Sequence, residues 1–194
     1  ANVFTGAYRE TTNVGVITKI VGDRTLAEIN GIPALEQYRA WTGASAEDVK
    51  GGNLLAYAIQ KPLGVKDPLG DLIAVRHCYL LFMVAQQTPH IGNNLAVGTA
   101  VIQLEGSVDE IIAAVGKTLK ELEAKIGAPI AGLHLVHCGG RRAGIGDRIN
   151  EVYDQVKAAV GDIPFLMEYT FGEYGYEDDG RNTCGGLMLS FTAF

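Results

Sequence analysis

Residues 130–170 read IAGLHLVHCGGRRAGIGDRINEVYDQVKAAVGDIPFLMEYT. Ile130 to Val136 is a short apolar run, suited to a buried strand. Asp147 stands where a helix cap belongs, and Ile149, Val152, Tyr153, Val156 and Val160 then recur at helical spacing until Gly161 supplies a stop. Ile163 to Thr170 is a second strand. Strand, helix and strand at this spacing require a crossover connection, so the two strands are expected to run parallel.

Upstream, Ser107-Val108-Asp109-Glu110 fits a capping box. Behind it Val108, Ile111, Ile112, Val115, Leu119, Leu122 and Ile126 form one helical face, closed by Gly127. Leu187 to Phe194 is a last strand. The first half is antiparallel in flavour. Val14–Val21 and Thr25–Ile29 flank a hairpin turn at Gly22-Asp23, and Asn30-Gly31-Ile32-Pro33 starts a helix with Leu35, Tyr38 and Trp41 on one face. A further helical stretch covers about 46–59, and Leu72–Gln86 and Leu95–Glu105 read as two long neighbouring strands. The sum is a mixed α/β fold, with α+β as the near alternative. One main mixed sheet is expected, antiparallel in the first half and built by strand–helix–strand crossovers in the second.

The chain has 194 residues, one domain or one plus a fragment on the usual prior of roughly 100–200 residues each. Such a length buries about 70% of its unfolded surface and needs no disulfide or metal to fold. Twenty-two acidic against 16 basic residues leave a net charge of -6. This argues against a nucleic-acid backbone as partner and against docking on anionic lipid. No run approaches about 18 apolar residues, so no membrane insertion is expected. Cys78, Cys138 and Cys184 are odd in number and unpaired in spacing, which favours a reducing, cytoplasmic setting. The opening at Ala1, with no methionine or leader pattern, is expected of a chain whose leader has been removed or, as the simpler reading, of a piece cut from something longer.

Four stretches are rich in turn formers: 61–71, 87–94, 138–147 and 172–186. In the third, Gly139-Gly140-Arg141-Arg142-Ala143-Gly144-Ile145-Gly146 joins a strand end to a helix start, where backbone amides favour an anion. It is neither a phosphate loop nor a dinucleotide fingerprint. Two readings stand: a ligand-holding turn whose arginine grips a carboxylate, or a flexible surface turn with solvated arginines. His134, His137 and Cys138 invite a metal, but strand alternation puts His137 on the face opposite the other two. One histidine in the core and one at the strand end is the simpler account. His77 either lines a pocket or packs. Cys138 is a candidate nucleophile lacking a well-placed base, which favours a small buried cysteine. Glu168 and Glu173 lie near the end of the strand at 163–170.

Several segments together resemble the C-terminal domain of the FIST family (F-box and intracellular signal transduction proteins). They are Asn30-Gly31-Ile32-Pro33-Ala34 with Tyr38; Val75-Arg76-His77; Leu133 to Arg141, similar to the family's strand ending in cysteine, two residues and arginine; Phe171-Gly172-Glu173; and Asn182-Thr183, which lacks the residue that separates this pair in the family. The resemblance implies a sensory domain that binds small ligands, amino acids among them, in prokaryotic signalling. It also implies an N-terminal FIST domain and a signalling output protein as partners. Residues 1–17 would be the tail of that preceding domain or a joining strand, and 18–194 the sensory domain. On this reading Cys138, Arg141, Glu173, Asn182, Thr183, Arg76 and His77 form the ligand site. Arg141 takes a carboxylate, Glu173 an ammonium, and Asn182 and Thr183 orient the ligand. No catalytic residue and no cofactor is expected. The alternatives are a haem-bound nitric oxide sensor using His77 or His134, a Cys138-dependent enzyme, and a protein-interaction module meeting its partner through the acidic loop at 172–184. Homodimerisation through an exposed apolar patch is a further expectation.

Overall fold

The computed structural model describes residues 1–66, 73–76, 78–81, 88–176 and 182–194. The chain divides into two compact units. One comprises Ala1–Tyr8 with Gly106–Phe194, the other Arg9–Glu105. Residues 1–17 therefore serve both: β1 (Asn2–Thr5) belongs to the first unit, and most of the remainder opens β2 (Arg9–Val21) in the second.

In the unit Arg9–Glu105, β2 turns at Gly22, whose φ of +59° a glycine takes freely, into antiparallel β3 (Thr25–Ile29). The Asn30-Gly31 corner folds β4 (Ile32–Pro33) back on β3. Pro33 then sits at the N-cap of α1 (Ala34–Thr42), one position earlier than a first-turn proline, and Gly43 closes that helix in the left-handed conformation. Leu35 and Tyr38 are buried, with Trp41 partly buried beside them. The helix expected over 46–59 is confined to α2 (Asn53–Gln60). The Ser45 and Asp48 side chains bond to each other's backbone amides in a turn ahead of it.

The remaining strands are β5 (Leu63–Lys66), β6 (Ile73–Arg76), β7 (Cys78–Leu81), β8 (Pro89–Ile91) and β9 (Ala100–Glu105). They complete an eight-stranded sheet in the order β6-β5-β9-β2-β3-β8-β7, with β4 attached to β3. The strands expected at 72–86 and 95–105 are not neighbours. β5 lies between β6 and β9, drawn from a stretch whose glycines and prolines read as turns although Leu63 and the half-buried Val65 alternate as a strand requires. Residues 82–86 lie outside the described residues. Ile17, Leu26, Ile29, Leu54, Leu63, Cys78, Ile91 and Val101 form this unit's core.

The other unit starts from the capping box. The Glu110 amide donates to Ser107 Oγ (3.2 Å) and the Ser107 amide to Glu110 Oε2 (2.8 Å), which sets the start of α3 (Val108–Ile126). Its Ile111, Val115, Leu119 and Leu122 are buried. β10 (Leu133–Cys138) leads into α4 (Gly139–Ile145), a single 3-10 turn at Gly146–Arg148, and α5 (Ile149–Val160). β11 (Phe165–Thr170) then returns parallel to β10. The expected crossover is present, yet Asp147 does not cap α5. Arg148 takes the N-cap position and instead binds Glu151 and Asp109, each at 2.7 Å. β12 (Glu173–Tyr176) and β13 (Asn182–Gly185) make a separate antiparallel pair, and β14 (Leu189–Ala193) inserts between β1 and β10.

The mixed α/β class is as the sequence implies, but the one main sheet is divided. Sheet order here is β1-β14-β10-β11, with β12 and β13 paired apart. The reason is that β14 joins β1, so the ends of the chain pair with each other across nearly its whole length. Among the described residues no helix is long and apolar enough to cross a membrane.

Gly175 of β12 lies flush on β1: a Cβ there would fall 2.1 Å from the Phe4 side chain. Gly175→Ala is expected to destabilise the chain by about 1–3 kcal/mol in urea melts, the usual cost of overpacking. Adding Phe4→Gly removes the atoms in conflict, the Phe4 Cβ included, so the double variant should lose less than the sum of the two single losses.

Candidate functional site

β10 and β11 are parallel and end together at Cys138 and Thr170. Ligands collect at such carboxyl ends in α/β sheets. At Cys138 the chain leaves the strand, and the sulfur accepts the Gly140 amide at 3.2 Å. The glycine-rich stretch 138–147 is therefore mostly helical rather than a loop. Glycine is required for close approach. A Cβ on Gly140 would lie 2.8 Å from Leu187 Cδ2, and one on Gly139 would lie 3.1 Å from the Thr170 carbonyl oxygen. Both residues let α4 press on the end of β11 and on the segment before β14.

One turn into α4, Arg141 is fully buried. Its Nη1 donates to the carbonyls of Gly6 (2.7 Å) and Leu187 (3.2 Å), and its Nη2 to that of Ile111 (3.0 Å). The half-buried Tyr8 ring lies 5.3 Å from the guanidinium carbon. Burial pushes the Tyr8 phenol up to about 12, with the Arg141 charge pulling the other way. Among the described residues, Arg141 Nε has no hydrogen-bond partner. Leu187, whose carbonyl Arg141 holds, has a φ of +55°, a strained conformation for a leucine.

Glu173 opens β12 and is 1% exposed. Its Oε1 accepts the Thr170 hydroxyl at 3.0 Å and its Oε2 the Met188 amide at 3.5 Å. Desolvation raises its pKa, opposed by hydrogen bonds from Thr170, Cys138 and Met188 and by the Arg141 charge. The Cys138 thiol is pushed up to about 11, first by burial and then by the Glu173 charge, so it is protonated at neutral pH and serves as a donor. The constellation is thus a buried carboxyl, a thiol and converging amides, braced by a guanidinium already engaged with backbone.

The structure brings Cys138, Arg141 and Glu173 together. Thr183 and Asn182 lie on β13, paired with Gly175 and Tyr176, further along the hairpin that begins at Glu173; Asn182 is exposed and Thr183 half-buried. Arg76 stands on β6 in the other unit, and His77 lies outside the described residues. His134 Nε2 lies 3.6 Å from Glu168 Oε1 and has no hydrogen-bond partner among the described residues. Tyr8, Thr170, Leu187 and Met188 were not legible in the sequence. Backbone amides and a left-handed leucine carry no residue-type signal.

The model of the FIST C domain matches residues 34–176, about three quarters of the chain. The chain belongs to the FIST C-domain family. That family is associated with sensing in signal transduction. Cys138, Arg141 and Glu173 of this FIST C domain fall inside the match, whereas Asn182 and Thr183 lie beyond its end. No curated protein and no solved structure matches the chain.

Arg141→Lys keeps the charge but cannot reach three carbonyls with a guanidinium's geometry. It is expected to cost about 2 kcal/mol in urea melts, the scale of one lost charged hydrogen bond. His137 gives a second test. Its Nδ1 lies 3.1 Å from the Cys138 carbonyl oxygen, which it bonds as a donor. Burial, then the Arg141 charge, lowers its pKa from 6.5 to about 3. Between these values the unfolded chain binds the extra proton, so stability is full above about pH 6.5 and is lost as pH falls toward about 3. His137→Asn keeps a donor without a titrating ring. It should remove up to about 1.4 kcal/mol per pH unit from the acid slope of stability.

Proposed function

We propose that the unit formed by residues 1–8 and 106–194 is a small-ligand sensory domain whose ligand is amino-acid-like and is held at the carboxyl ends of β10 and β11. The observation that carries this reading is Glu173, a carboxyl 1% exposed for which no ion pair is found among the described residues. A buried acid that feels a guanidinium only at a distance, with no direct ion pair, is a poor device for stability and a good one for receiving a cation. A ligand ammonium would supply a direct ion-pair partner and draw the raised pKa of Glu173 back down. Cys138 donates its thiol hydrogen to the same carboxyl, and Asn182 and Thr183 orient the rest of the ligand from β13. Arg141 acts as a positioning residue: it holds the Leu187 carbonyl, and with it the segment that presents the Met188 amide. Its Nε–H, buried and unpartnered among the described residues, is the donor left for a ligand carboxylate.

The burial of Cys138 and its protonated thiol count against a cysteine-dependent enzyme. An N-terminal FIST domain and a signalling output protein, in a cytoplasmic setting, complete the sensory reading.

Thermal melts of the full chain with each common amino acid in turn test it. At least one should raise Tm, since a ligand at about a hundred times its Kd adds about 2.7 kcal/mol. Glu173→Gln should abolish that shift, while Lys120→Ala on α3 leaves it intact. If no amino acid moves the melt, or if the shift survives Glu173→Gln, the reading is wrong.

A further inference from the structure

β11 is one edge of its sheet, and among the described residues it pairs with β10 alone. Natural edges are usually blunted by a lysine, a proline or a bulge. Phe165–Thr170 reads FLMEYT, with none of these residues and an unbroken register. Its one charge is Glu168, whose Oε1 lies 3.6 Å from His134 Nε2.

The face that β11 shares with the core is apolar and unfinished. Leu133, Leu135 and His137 of β10 are buried, but their partners on β11 are Phe165 and Met167, half-buried, and Tyr169, 43% exposed. Just beyond the ends of the strand stand half-buried Ile163 and Phe171, which is 99% exposed. Tyr153 of α5, 54% exposed, lies against Phe165 with ring centroids 5.9 Å apart.

We propose that β11 is a dimer edge, at which two copies of this chain join antiparallel about a two-fold axis through Met167 and continue the four-stranded sheet into one of eight strands. The pattern itself selects a second copy as occupant. Antiparallel neighbours place same-face residues opposite each other, so a two-fold axis must pass through one residue of the strand. At Met167 the row Phe165, Met167 and Tyr169 becomes self-complementary: Phe165 meets Tyr169, and Met167 meets itself. On the other face Leu166 meets Glu168, with no like charges opposed. An axis at Glu168 would set two carboxylates face to face. An axis at Leu166 or at Tyr169 would pair only three residues of each β11, against five at Met167. Of the two axes that pair five residues, only the one at Met167 matches apolar to apolar and opposes no like charges.

Sedimentation equilibrium of the full chain across the micromolar range tests this. The wild type should be a dimer. Leu166 is 56% exposed, so changing it spares the interior. Leu166→Glu places a carboxylate opposite Glu168 twice and should raise the dimer Kd at least about tenfold. Leu166→Lys places an ammonium there and should keep the dimer. The pair of variants separates this register from a general loss of folding. Mild oxidation of Met167→Cys should also give a cross-linked dimer faster than that of Glu168→Cys or of wild type. A monomer at every concentration, equal effects of Leu166→Glu and Leu166→Lys, or no preference for cross-linking at 167 would each overturn the proposal. A monomer would leave the edge to a strand from a different protein.

Discussion

The burial of one guanidinium organises the unit that carries the site. Arg141 lies on a seven-residue helix and reaches three carbonyl oxygens, 135, 46 and 30 residues distant in sequence. A buried arginine is tolerable only when its donors are engaged, because its charge cannot be shed at any ordinary pH. These bonds therefore tie Gly6 beside β1, Ile111 on α3 and Leu187 before β14 to α4. The glycines at 139 and 140 bring α4 close enough for this, and the left-handed Leu187 is a cost borne to turn its carbonyl toward the arginine. The same local turn sets the Met188 amide against Glu173 and packs Leu187 over Gly140.

The chemistry follows from that scaffold. Cys138 and Glu173 come from the ends of β10 and the start of β12, yet they share a hydrogen bond in surroundings that disfavour charge on both. The Cys138 thiol, protonated at neutral pH, is a donor within this enclosure, and burial disfavours charge on Glu173. The family to which the chain belongs is associated with sensing in signal transduction.

Much of the fold was legible because local rules and tertiary demands coincide. The capping box at Ser107 and Glu110 and the stop at Gly127 bound α3 as the sequence implies, and the parallel β10–β11 pair follows from strand and helix lengths. Where local rules misled, a tertiary contact had overruled them. Residues 139–145 look like a loop because glycines favour turns, but here they are glycines so that a helix can touch its neighbours. Residues 63–66 look like a turn, yet form a strand because β9 and β6 offer ladders on both sides. Asp147 is a good capping residue that goes unused because Arg148 is drawn to Asp109 and Glu151.

By itself the sequence determined that the chain is a mixed α/β protein with a crossover pair in its second half, and that cysteine, arginine and glutamate stand near strand ends where a ligand could meet them. Residue type and spacing are local quantities, and these conclusions need nothing more. Only the tertiary structure decided what those residues do. Arginine in a glycine-rich turn is expected to face solvent or ligand, whereas Arg141 faces inward because three distant carbonyls converge on it. The desolvation that raises Glu173 and Cys138 is likewise a property of their enclosure, supplied by segments far apart in the chain. Nor could spacing reveal the division into separate sheets, since it rests on the pairing of the first strand with the last.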